Sequence, residues 1–182
     1  MNLSDHFINK NVAIVGNADS LFHNEKYGEL IDSYDTVCRF NLGWKIKDKN
    51  YQGVKTTVLF NNGLRLFFPD VKDRNMTTVL ACNVQSETDK IVTHILPEEL
   101  KKEIRKLISN KRPSCGMLAM HYISKLNTKN VALFGFDWKN TKSFYHLHPE
   151  RIKNKGKGPH DWDAERKYAT EVLLKKNNWT LI

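Results

Sequence analysis

Asn11-Val12-Ala13-Ile14-Val15 is a five-residue run, apolar after its first residue, bounded by a glycine and an amide, Gly16-Asn17. It is too short for a helix and rich in branched side chains. It therefore reads as a buried strand delivering the chain to a ligand-facing turn. Similar runs follow at Thr36 to Phe40, Thr56 to Phe60, Thr77 to Ala81 and Asn130 to Phe134. Helical patterns lie between them. The clearest begins at Pro97, with Glu98 and Glu99 in its first turn, Leu100, Ile104, Leu107 and Ile108 at helical spacing, and basic residues late. A second runs from about Ser114 to Leu126, and a third from Trp162 to about Lys176. Strands alternating with helices predict an α/β layered fold, a mainly parallel sheet flanked by helices. In such a sheet, ligands gather at the carboxyl ends of the strands.

Composition sets the outer bounds. With 182 residues, 40% of them hydrophobic and 27% charged, the chain suits one globular domain over 1–182 and excludes a disordered or fibrous protein. No apolar run approaches the ~18 residues that a membrane-spanning helix needs. The amino terminus lacks the basic and apolar segments of a secretory signal, so a cytoplasmic location is expected if the chain is complete. Cys38, Cys82 and Cys115 are an odd number with no CxxC pair, and read as reduced thiols. A net charge of +9 favours a polyanionic partner, though a basic surface also serves solubility alone. Arg151, Lys153, Lys155 and Lys157 stand among Gly156, Gly158 and Pro159, a composition that fits a solvated loop or a lid.

Three short segments have the residue types for chemistry. Gly16-Asn17 follows the first strand without completing GxGxxG, so the dinucleotide fingerprint fails. The glycine allows close backbone approach, and the amide offers both donor and acceptor. Arg112-Pro113-Ser114-Cys115-Gly116-Met117 places Ser114 at a helix amino terminus, either as a cap or as part of a phosphate-binding end. His160 precedes the last helix, where the dipole disfavours a cation; it is then either a capping residue or a neutral general base. Asp161 and Asp163 form a nominal DxD but lie on the helix start, and read as acids complementing the dipole. Trp44, Trp138 and Trp162 suit core packing or stacking on a sugar or base.

Taken in order, these segments resemble the sialyltransferase family, glycosyltransferase family 29. Val12 to Asn41 is similar to its large motif, with the Val-Gly-Asn turn and a closing Arg39-Phe40-Asn41. Arg112 to Met120, running on to Leu133-Phe134-Gly135-Phe136, resembles the small motif. Phe144-Tyr145-His146 resembles the third motif, and His160 with Glu165 the very small one. The resemblance implies a single Rossmann-like nucleotide-binding domain of the GT-A-variant sialyltransferase type. It also implies a CMP-sugar donor as co-substrate, no metal cofactor, and inversion by direct displacement. Carried over by position, Gly16, Asn17, Asn41, Ser114, Cys115, Gly116 and Tyr145 bind the nucleotide. His160 is the base, and His146 or Tyr145 assists the phosphate's departure. Glu165 completes the last motif. The acceptor is read from charge instead: the net +9 and the loop lysines Lys153, Lys155 and Lys157 suit a polyanion, with double-stranded DNA carrying a hydroxymethylated base favoured over a bacterial surface glycan. A nucleotide- or nucleic-acid-binding module without turnover is the reading of another class.

The sequence also departs from that family. Cys115 stands where many members have Thr, and Ala13 and Val15 occupy the region where a paired cysteine is expected. A reducing compartment accounts for the missing pair.

Overall fold

The strand β1 (Asn11–Val15) is buried from its second residue onward, as an apolar run must be when both faces of a parallel sheet are covered. A computed structural model describes residues 1–23, 25–63, 76–81, 92–109, 111–145 and 158–182. Within it, β1 pairs in parallel with β2 (Thr36–Phe40) on one side and β6 (Asn130–Phe134) on the other. The sheet continues through β3 (Val58–Asn61), β4 (Thr77–Leu80) and β5 (His94–Ile95) beyond β2, and through β7 (Trp179–Leu181) beyond β6. Seven strands thus lie in the order β5-β4-β3-β2-β1-β6-β7, and every pair is parallel. Strand order reverses between β1 and β6, so their carboxyl ends diverge and open a crevice.

Helices cover both faces. α1 (Gly28–Ser33) and α2 (Lys49–Gln52) are short; α3 (Glu98–Ile108), α4 (Cys115–Ser124) and α5 (Trp162–Tyr168) are the helices expected from the sequence. α4 buries seven of its ten residues, which is the behaviour of a helix apolar all round. On α3 the buried stripe is Leu100, Lys101 and Ile104, while Leu107 is exposed. The lysine takes the core-facing position because its stem lies along apolar surface while Nζ bonds Glu98 Oε1 at 2.7 Å.

The sequence expectations shift in several places, besides the one-residue and two-residue trims at the ends of β4 and α4. The third strand starts two residues later, at Val58, because Thr57 closes the preceding turn: its N–H bonds the Val37 carbonyl and its Oγ1 accepts the Val37 N–H. The last helix ends as an α-helix at Tyr168 and widens into a π-helical turn, Ala169–Leu173, instead of running on to Lys176. β5 and β7 lack a sequence signal, since a two-residue and a three-residue edge strand are too short for a period. Trp44 is buried, so packing and not stacking is its role. Cys38 and Cys115 are buried thiols, whereas Cys82 lies outside the described residues.

Gly16 marks where β1 and β6 touch before diverging. Its N–H bonds the Phe134 carbonyl at 2.7 Å, and a Cβ there would sit 2.3 Å from the Gly135 carbonyl oxygen. The residue is therefore glycine because backbone presses on backbone, and not only to admit a ligand. Gly16→Ala is expected to destabilise the fold by about 3 kcal/mol, the upper end of overpacking costs. Urea denaturation checks this; an unchanged midpoint would mean that the two strand ends separate freely.

Candidate functional site

The carboxyl ends of β1, β2 and β6, the start of α4 and the approach to α5 enclose a cleft of about 660 Å³. It contains Gly16, Asn17, Asn41, Ser114, Cys115, Gly116, Tyr145, His160 and Glu165, which the sequence analysis had singled out from four separate stretches. His146, Lys153, Lys155 and Lys157 lie outside the described residues.

One wall begins at β1 and β2. Asn17 Nδ2 donates to the Phe40 carbonyl at 3.0 Å and to the Tyr145 hydroxyl at 3.2 Å, tying the first strand's turn to the third motif. Asn41 adopts a left-handed backbone, φ 50°, which asparagine tolerates better than most residues. Its Oδ1 accepts the Asn62 N–H at 3.0 Å and lies 3.9 Å from Cys115 Sγ. β2 is anchored beneath by buried Arg39, whose Nε and Nη2 donate to the carbonyls of Lys55 and Gln52. Burial pushes the Tyr145 phenol's pKa up, so its hydroxyl keeps the proton as a donor.

The opposite wall is the start of α4. Ser114 is the N-cap, and its Oγ accepts the Met117 N–H at 3.1 Å. The same serine is held from behind: Glu165 Oε1 accepts the Ser114 N–H at 2.7 Å, and Oε2 accepts its Oγ–H at 2.7 Å. Glu165 is 2% exposed. Burial pushes its carboxyl up to about 7, against the opposing pull of the two Ser114 hydrogen bonds. Glu165 thus orients the helix end. Gly116 leaves room for the Phe136 ring, which a Cβ would approach to 3.1 Å.

His160 stands before the N-cap of α5, Asp161, whose Oδ1 accepts the Ala164 N–H at 3.1 Å. The chain segments before α4 and α5 run side by side, since Arg112 N–H donates to the Pro159 carbonyl at 3.1 Å. His160 Nδ1 is 2.7 Å from the Arg112 carbonyl oxygen. A carbonyl only accepts, so Nδ1 carries the proton and the lone pair lies on Nε2. Burial lowers the His160 pKa; the hydrogen bond to Arg112 opposes this, and the charges of Arg112 and Lys139 add to the lowering. The result is a neutral imidazole with a basic Nε2.

The turn after β6, from Asp137 to Ser143, also lines the cleft; the sequence pointed to Trp138 there and to none of its neighbours. Its signal was Gly135, a glycine closing a strand at the point where strand order reverses. Among the described residues, no group of three or more His, Cys, Asp and Glu side chains is placed to hold a metal, and no helix is long and apolar enough to cross a membrane.

No family model and no curated protein matches the sequence. Solved structures do match. The chain superposes on a mammalian sialyltransferase with a TM-score of 0.69 at 20% identity, covering 96% of this chain and 69% of that one. Cst-I, a monofunctional α-2,3-sialyltransferase from Campylobacter jejuni, matches with a TM-score of 0.61 at 18% identity over 95% of this chain and 75% of the other. CstII from the same organism, solved with cytidine-5'-monophosphate, gives 0.60 at 20% over 94% and 78%. At this identity the likeness is one of fold: the chain has a sialyltransferase-like α/β architecture, and its cleft lies at the crevice of that architecture.

Proposed function

We propose that the chain is a single-domain, metal-independent, inverting glycosyltransferase that moves a sugar from a CMP-activated donor to an acceptor hydroxyl. One observation carries the reading: His160, whose Nδ1 is bonded to the Arg112 carbonyl and whose lone pair is therefore on Nε2, lines the same cleft as Ser114 at the amino terminus of α4. The N–H groups of that helix end and the Tyr145 hydroxyl take up the charge growing on the departing CMP phosphate. Asn17 and Asn41 hold the nucleotide. Nε2 takes the acceptor hydroxyl's proton as the new bond forms on the face opposite the leaving group, which inverts the anomeric carbon. For the acceptor we favour a hydroxymethylated base in duplex DNA. A net charge of +9 supports it, with Lys153, Lys155 and Lys157 contacting phosphates and the base turned out of the stack to reach His160. A surface glycan is the competing acceptor.

Calorimetric titration with CMP, UMP and GMP, each with and without EDTA, tests the donor. CMP is expected to bind selectively and equally well in EDTA. Failure to bind CMP, or a requirement for metal, would return the chain to the class of binding modules.

A further inference from the structure

Trp138 and Lys139 are consecutive residues in the left-handed region, with φ of 50° and 66°. Neither residue type favours it, and a fold retains such a strained conformation only where the surroundings impose it. Here Asp137 imposes it: its Oδ2 accepts the N–H of Thr141 at 2.8 Å and the Oγ1–H at 2.5 Å, closing the turn around the pair. Both strained side chains line the cleft. Lys139 Nζ donates to Ser143 Oγ at 2.6 Å and lies 5.8 Å from the centre of the Trp162 ring. Trp162 meets His160 edge to face at 5.0 Å. An ammonium is thus held on the base's side of the cleft.

That position separates acceptor from donor. The reacting hydroxyl must come within hydrogen-bond reach of Nε2, so a cation beside His160 neighbours the acceptor. We infer that Lys139 selects an acceptor that carries an oxyanion, a carboxylate or a phosphate, next to its reacting hydroxyl. This rests on the CMP-transfer reading and narrows its acceptor class. A further consequence concerns catalysis: a cation there opposes charge on the imidazole, and an acceptor anion cancels that opposition when it binds. The base is then strongest with the correct substrate in place.

The test uses the intact chain saturated with CMP and three probes built on one pyranoside ring: methyl β-D-glucoside, methyl β-D-glucuronide and methyl β-D-glucoside 6-phosphate. By calorimetry the wild type is expected to bind at least one anionic probe about tenfold tighter than the neutral one, the scale of a charged hydrogen bond. Which anion gains more tells an acidic sugar from a phosphate. Lys139→Met is expected to bring all three within about twofold of one another, while Lys139→Arg keeps the preference and both bind CMP like the wild type. Equal or undetectable binding of all three probes to the wild type overturns the inference. So does a Lys139→Met protein that loses CMP affinity, which would assign the ammonium to the donor phosphate. Absence of CMP binding by the wild type itself is a different failure, that of the transferase reading.

Discussion

His160→Ala is expected to lower transfer by about 10²–10⁴-fold, the range of a positioned general base, and to leave CMP affinity within about twofold. The two effects separate because His160 lies at the start of α5, whereas the phosphate meets the start of α4. The pH profile carries a second signature. A base must be neutral, so the rate falls on acidification as His160 gains its proton. Because burial and the nearby charges lower its pKa, that fall lies below the usual histidine value of 6.5. In the alanine variant the acid limb is expected to vanish. Steady-state rates from pH 4.5 to 8 check this, and a variant that retains the limb, or that turns over normally, assigns the base elsewhere.

Glu165 gives the second large effect. Glu165→Ala strips the acceptor from a buried backbone N–H and from the Ser114 hydroxyl, and is expected to cost about 2–4 kcal/mol of stability. It is also expected to weaken CMP binding about tenfold as the start of α4 loosens. Glu165→Gln keeps an acceptor for the Ser114 N–H and isolates the charge. In the folded chain the carboxyl titrates at about 7, against an ordinary glutamate value of 4.5. Between those values the native state holds a proton that the unfolded chain has released. Stability therefore falls as pH rises from about 4.5 to 7, by up to about 3 kcal/mol, and this contribution is constant outside that window. Thermal unfolding followed by circular dichroism should show the slope in the wild type and a flatter curve in Glu165→Gln. Identical slopes would place the proton on another group.

The five strand runs of four or five residues were legible because they are continuous and apolar, which only a doubly covered parallel sheet requires. Ser114 was legible as a helix start from capping chemistry and Asp161 from its acidic charge, although the cap of α5 is Asp161 and not His160. What the sequence hid is long-range. Nothing local to Glu165 says that it reaches Ser114, 51 positions away, or that His160 will find the Arg112 carbonyl. Those contacts exist only once α4 and α5 lie side by side. Lys139 was hidden for another reason: its significance is a backbone conformation, and no side-chain pattern encodes a left-handed lysine.

α4 and α5 are joined twice, by Glu165 on Ser114 near the cleft and by the Tyr168 hydroxyl on buried His121 Nδ1 at 2.9 Å farther along. Two attachments along one pair of helices remove the hinge that a single attachment would leave. The spacing between the phosphate end of α4 and the imidazole at the start of α5 is thus set during folding, before any ligand arrives. The entropy of aligning base and leaving group is lost then and not at each encounter. Adaptation to ligands of different shape accordingly falls to the turn after β6, which makes that turn the place to vary in directed evolution and the helix pair the place to leave alone.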